Sequence, residues 1–128
     1  MALHMKGYGK KVWLIPDAYL NSVSLNANVS HEALCVINTS YRTAKITITL
    51  LFEDRDAWTG IKARCESMRT NHIRMDKIAN AAGELIPRDT PYAVLVESSE
   101  PIVCQYTRLD TSVAEMALMT TIAYAVED

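Results

Sequence analysis

Residues Lys45 to Phe52 read KITITLLF. In an extended chain, Ile46, Ile48, Leu50 and Phe52 fall on one side, with Thr47 and Thr49 on the other. A period of two with β-branched enrichment cannot be laid on one face of a helix. It predicts a strand with one face in a core. Shorter runs repeat the theme. Val12–Ile15 is expected to stop at Pro16, and Ala33–Ile37 at the turn cluster Asn38-Thr39-Ser40. Ile61–Arg64, His72–Met75, Tyr92–Val96 and Ile102–Thr107 are further short strands. Turns are predicted at Asp56–Gly60, Ala79–Gly83, Pro87-Arg88-Asp89 and Ser98–Pro101. Seven or eight short strands with polar turns give an all-β, antiparallel sandwich or barrel.

The C-terminal stretch can be read two ways. Ser112-Val113-Ala114-Glu115 fits a capping box, and the alanines and methionines after it favour a helix. Thr120-Thr121-Ile122-Ala123-Tyr124 favours β structure. The expectation is a loop near Thr111–Glu115 and then a strand from about Met119 to Ala125. One helical turn is expected over Met75–Asn80.

A chain of 128 residues is one domain by size, with enough surface to bury for a real core. Residues 1–11 are expected to be a disordered lead-in or an expression scar, and 12–128 the domain. The basic start MALHMKGYGKK lacks the apolar core of a secretory signal. No apolar run is long enough to span a bilayer as a helix. A net charge of −2 gives no global footprint for nucleic acid, although Arg64, Arg69 and Arg74 form a local basic run. The three cysteines lack metal or disulfide spacing and point to a reducing cytoplasm.

Four constellations could carry chemistry. HEALC, from His31 to Cys35, begins like a zinc-protease motif but lacks its second histidine, and it reads as a strand. Ser30-His31-Glu32 could instead present polar groups at a sheet edge. His72 and Arg74 share a face while Ile73 and Met75 pack inward; an adjacent guanidinium favours the neutral imidazole, which can donate and accept. Tyr106, Arg108 and Asp110 point one way, Gln105 and Thr107 the other, so Arg108 ranks above Gln105 for ligand contact. Two prolines bracket Asp89 in a stiff loop. Each has a structural alternative: solvated loops, an exposed edge strand, or an Arg108–Asp110 pair. Phosphate loops, dinucleotide fingerprints and nucleophile elbows are absent from the sequence, and no cofactor or metal is expected.

Several separated blocks, in order, resemble the Anabaena sensory rhodopsin transducer family. They are Trp13-Leu14-Ile15 with Tyr19; Ser30-His31-Glu32 with Cys35-Val36-Ile37-Asn38; Arg69-Thr70, His72 and Arg74; and Ile86-Pro87, Asp89-Thr90 and Ser98. The last is PIVCQYTRLD followed by AEMALMTTIAYA. The resemblance implies a small antiparallel β-sandwich, jelly-roll-like in outline, assembled as a cyclic homotetramer. It also implies a cytoplasmic setting, a membrane photoreceptor or other receptor as partner, and a site for a sugar or related polar ligand. By the same implication His31, Glu32, His72, Arg74, Asp89, Gln105, Arg108 and Asp110 would line or brace that site, with Trp13 or Tyr106 as aromatic platform.

The leading expectation is a non-enzymatic domain that binds a small polar or sugar-like ligand in signalling. It requires His72, Arg74, Gln105 and Arg108 to converge on one cavity. A protein-interaction transducer is the alternative. An isomerase or lyase using His72 or His31 as base, and DNA binding through Arg64, Arg69 and Arg74, rank below it. Exposed edge strands give a sandwich of this size reason to oligomerise.

Overall fold

The computed structural model describes residues 6–25 and 27–127. Eight antiparallel strands account for its regular structure: β1 (Lys10–Ala18), β2 (His31–Asn38), β3 (Ala44–Phe52), β4 (Trp58–Cys65), β5 (Arg69–Arg74), β6 (Tyr92–Asp110), β7 (Ala117–Ile122) and β8 (Tyr124–Ala125). They form two layers that share β6. One sheet runs β4-β3-β6-β1-β8 and the other β5-β2-β6-β7, and the strand path does not close into a barrel. This is the expected all-β sandwich. Among the described residues there is no helix; Met75 begins a hydrogen-bonded turn closed by the Lys77 amide on the Arg74 carbonyl.

The 19-residue β6 makes this arrangement possible. Its first half pairs β1 and β3, with Val96 opposite both Trp13 and Ile48. Its second half pairs β2 and β7, with Tyr106 opposite both Leu34 and Thr121. The turn expected at Ser98–Pro101 is instead the bend where one strand passes between sheets, as corner strands do in sandwiches. Hydroxyls serve the backbone there: Ser99 Oγ accepts from the Lys45 amide and Ser98 Oγ from that of Glu100. Pro101 has no amide to lose. The alternation survives the bend, so Tyr92, Val94, Val96, Ile102, Cys104 and Tyr106 all face the interior.

Between the layers lies one core, with Ile46, Ile48 and Leu50 of β3 against Leu34 and Val36 of β2. Fully burying such a side chain contributes about 2 kcal/mol. Pro16 does not stop β1. A register shift between Ile15 and Ala18 absorbs it, as a bulge can, and the strand continues to Ala18. Thr111–Glu115 is the expected loop. The strand after it divides at Ala123: β7 stays with the second sheet and β8 crosses to β1. Residues 1–5 of the expected lead-in lie outside the described residues, while Lys10 and Lys11, expected to be disordered, open β1. From Lys6 the chain is held by Thr39, whose hydroxyl donates to the Lys6 carbonyl and accepts from the Tyr8 amide.

Gly9 takes φ +109°, and a Cβ there would lie 1.9 Å from the Ile102 carbonyl oxygen. Backbone must move to admit it. Gly9→Ala is expected to cost about 2–3 kcal/mol, lowering the thermal midpoint by roughly 10 °C. A melt within a degree or two of wild type would show that this entry to β1 tolerates a side chain.

Candidate functional site

Along β2 the residues in phase with the core are Glu32, Leu34, Val36 and Asn38. The alternation that buries two aliphatics therefore also buries a carboxylate, and Glu32 is 1% exposed. A buried charge is tolerated only when paired and hydrogen-bonded. Glu32 has four donors: the Tyr19 amide at 3.0 Å, the Tyr92 hydroxyl at 2.7 Å, the Tyr106 hydroxyl at 2.8 Å and Arg108 Nε at 2.6 Å. The two phenol oxygens lie 2.9 Å apart. Burial, reinforced by the Glu32 charge, pushes both tyrosines well above the usual phenol range, so they remain protonated donors. Arg108 reaches outward as well, to Asp17 at 3.4 Å.

Beside this cluster, a cleft of about 80 Å³ lies between Tyr19 and Asn21 of the β1–β2 connection, His31 of β2, and Arg108 and Asp110 at the end of β6. Its walls are held from outside. Arg88 donates to the carbonyls of Asn21 and Ser30 at 2.7 and 2.9 Å, and Asp76, half-buried, takes a two-point contact from Arg74 at 2.8 and 2.9 Å. Burial pushes the Asp76 carboxyl up, but Arg74 outweighs it and the group titrates below its ordinary range. Asp89, at φ +57°, accepts from both the hydroxyl and the amide of Ser22, which hold its carboxyl low. Asp110 is lowered by Ser112 in the same way. His31 Nδ1 lies 2.7 Å from the Val29 carbonyl oxygen.

The structure thus gathers His31, Glu32, Arg108 and Asp110 at one end of the sandwich. Asp89 joins them through Tyr19, and Arg74 through Asp76 and Arg88. It does not bring in His72 or Gln105. Both lie opposite Cys35 in the ladder, on the outer face of the second sheet, and Gln105 Nε2 donates to Thr120. The expected convergence of His72, Arg74, Gln105 and Arg108 does not occur, because residues 105 and 108 are an odd number apart and emerge on opposite faces. Nor is there an aromatic platform at Trp13 or Tyr106. Both are core residues, Trp13 spending its indole N–H on the carbonyls of Lys10 and Ile102.

A second cavity is larger and of different character. About 500 Å³ opens between β1 and the β7–β8 segment, walled by Leu14, Ile15, Pro16, Met119, Ile122 and Tyr124, with Asp17 at its margin. Sequence reasoning missed Asp17, Tyr19, Asp76, Arg88 and Tyr92. Only Tyr92 left a readable signal, since it shares the even-numbered phase of Tyr106 along β6. Among the described residues no three His, Cys, Asp or Glu side chains gather as metal ligands.

Removing the cation from a buried pair leaves an uncompensated charge. Arg108→Met is expected to cost about 3 kcal/mol, and His72→Ala to stay within about 0.5 kcal/mol of wild type, both read by urea denaturation. Equal effects would contradict the division into a buried cluster and an outer face. Asp76, Asp89 and Asp110 titrate below the ordinary 3.8 in the fold. Their stabilisation is complete above the unfolded value and lost as pH falls through the folded one. Melting temperature should therefore drop below about pH 4, and Asp89→Asn should flatten that drop.

The family model described as Anabaena sensory rhodopsin transducer matches residues 8–125. A search of curated proteins finds no match. Among solved structures, "Crystal Structure of Thermotoga maritima 1070" is similar at 39% identity and TM-score 0.83, covering 93% of this chain and 97% of that one. "Anabaena sensory rhodopsin transducer" is similar at 29% identity and TM-score 0.73, covering 86% of this chain and 96% of that one. The blocks in which the resemblance first showed are the strands that build the Glu32 cluster and its surround, and this chain belongs to the Anabaena sensory rhodopsin transducer family.

Proposed function

We propose that this chain is a non-enzymatic transducer that works as a homotetramer and passes a signal by docking a membrane receptor, in the cytoplasm. The observation that carries this reading is the β7–β8 edge. Leu118, Met119, Ile122 and Tyr124 are 73%, 51%, 62% and 69% exposed. Strand β7 pairs only with β6 among the described residues, leaving its other backbone edge open. An open edge bearing apolar side chains is a pairing template that proteins ordinarily cover. Beside it lies the 500 Å³ apolar groove, suited to side chains of another protein. A similar solved structure is named as a transducer of a sensory rhodopsin, which supports a membrane receptor as the further partner. The thiols of Cys65 and Cys104, packed in the core, suit a reducing compartment. Burial pushes that of Cys104 up to about 12.

Light scattering should give four times the 14.3 kDa chain mass, and Leu118→Asp with Ile122→Asp should reduce it to one chain. A monomeric wild type at micromolar concentration would overturn the assembly. Binding of a detergent-solubilised sensory rhodopsin in a pull-down, or its failure, tests the receptor separately.

A small polar ligand has one observation in its favour: an imidazole, a guanidinium and a carboxylate, from His31, Arg108 and Asp110, line a single cleft. At about 80 Å³ the cleft is smaller than the roughly 300 Å³ at which drug-sized sites begin. A ligand there would be small and would compete with bonds these side chains already make. A thermal-shift series with sugar acids and small carboxylates should raise the melting point if it binds, and Arg108→Lys should abolish the rise. A flat series at millimolar ligand would eliminate this second role.

A further inference from the structure

The net charge of −2 conceals a separation of charge along the sandwich. At the end where β2 stops, three segments meet. Tyr8 and Lys6 are bonded to Thr39, and Ser67 donates to the Ser40 carbonyl at 2.7 Å. This packs the N-terminal segment and the β4–β5 turn against the β2–β3 turn. Lys6, Arg42 and Arg69 lie here, with Lys45 and Arg64 directly opposite one another in the adjoining ladder. Two acids lie nearby: Glu66, bonded to Arg64 and Thr43 and near the charge of Arg69, and Glu100, near Arg42. The opposite end carries Asp54, Asp56, Glu84, Asp89, Asp110 and Glu115, together with Arg55 paired to Asp54, Lys77, Arg88 and Arg108.

The basic end is also apolar at its tip. Tyr8 and Tyr41 are each 60% exposed, Met68 50% and Ile37 45%. Lys6 sits over the Tyr8 ring at 5.5 Å and Arg42 over the Tyr41 ring at 5.1 Å. Between Ile37, Met68 and Arg69 lies an open cleft of about 230 Å³. Tyrosine rings settle at the level of lipid headgroups, and long basic side chains extend from there to phosphates. An acidic far end turns such a molecule so that its basic end faces an anionic plane. Nucleic acid is the poorer match, because its contacts need cations spread along a backbone track. Here they ring a small tip that also offers Met68 and Ile37.

We propose that this end of the sandwich docks on the anionic lipid surface of a membrane through Lys6, Arg42 and Arg69, with Tyr8, Tyr41 and Met68 entering the headgroup layer. The surface is distinct from the β7–β8 edge and does not depend on a receptor binding there.

Co-sedimentation with lipid vesicles tests it. The full chain should bind phosphatidylcholine vesicles containing phosphatidylglycerol, fail to bind phosphatidylcholine alone, and dissociate as salt rises. Each basic residue near an anionic surface contributes about fivefold in affinity. Arg42→Glu with Arg69→Glu should therefore weaken binding by at least about thirtyfold. Tyr8→Ser with Lys6→Glu, a second pair outside the core, should weaken it independently, and Lys77→Glu at the acidic end should not. Circular dichroism melts matching wild type confirm that each variant folds. Four outcomes would overturn the proposal: no binding to either vesicle, equal binding to both, folded variants that bind like wild type, or duplex DNA bound more tightly than the anionic vesicles.

Discussion

A carboxylate taken out of water must recover its hydration from the protein, and at Glu32 that requirement organises half the sandwich. Its four donors come from the β1–β2 connection (Tyr19), the first half of β6 (Tyr92) and the second half of β6 (Tyr106 and Arg108). Three of the four come from the single strand β6, and the fourth from the residue that follows β1. The connection after β1 must fold back over β2, and both halves of β6 must face the same interior. Breaking one partner costs more than the pair contributes, because the charge left behind stays buried. The cluster therefore enforces one arrangement of the two layers more than it adds net stability.

The geometry of β6 makes the cluster reachable. The bend at Ser98–Pro101 keeps even-numbered residues inward on both sides, so Tyr92 and Tyr106, fourteen residues apart, arrive with their hydroxyls 2.9 Å from each other. Had the bend inserted one residue, the second half would have turned Gln105 and Thr107 inward and Tyr106 out, since a single slip exchanges the faces of a strand. A second polar pin stands at the other end. Asn38, wholly buried, donates to the Arg42 and Cys65 carbonyls and accepts twice from Ser40. Hydrophobic contact between the sheets is non-directional; Glu32 and Asn38 supply the direction.

Local alternation was legible from sequence. KITITLLF showed the face of β3, and Tyr106, Arg108 and Asp110 were correctly separated from Gln105. Pairing was not legible, because nothing local says that β2 lies between β5 and β6. Without that, His72 and Gln105 could be imagined lining a cavity, when in the ladder they flank Cys35 on an open face. Asp76 was hidden for a related reason: its contact with Arg74 is local, but Arg88, which also approaches it, lies on a loop further along the chain. Glu32 was misplaced: Ser30-His31-Glu32 was expected as a loop presenting polar groups at a sheet edge, but Glu32 lies in β2, in phase with Leu34 and Val36, and is buried with them.

Once the candidate residues are seen bonded to one another, the polar chemistry of this chain turns inward. Glu32 is saturated, Arg74 is closed on Asp76, and Asp89 is held by Ser22. What stays outward is apolar or patterned by charge: the open β7 edge, the groove beside it, and a sandwich with basic and acidic ends. These surfaces are joined by β6, which belongs to both sheets. Arg108 marks the junction. On one side it closes the buried Glu32 cluster, and on the other it meets Asp17 at the margin of the groove.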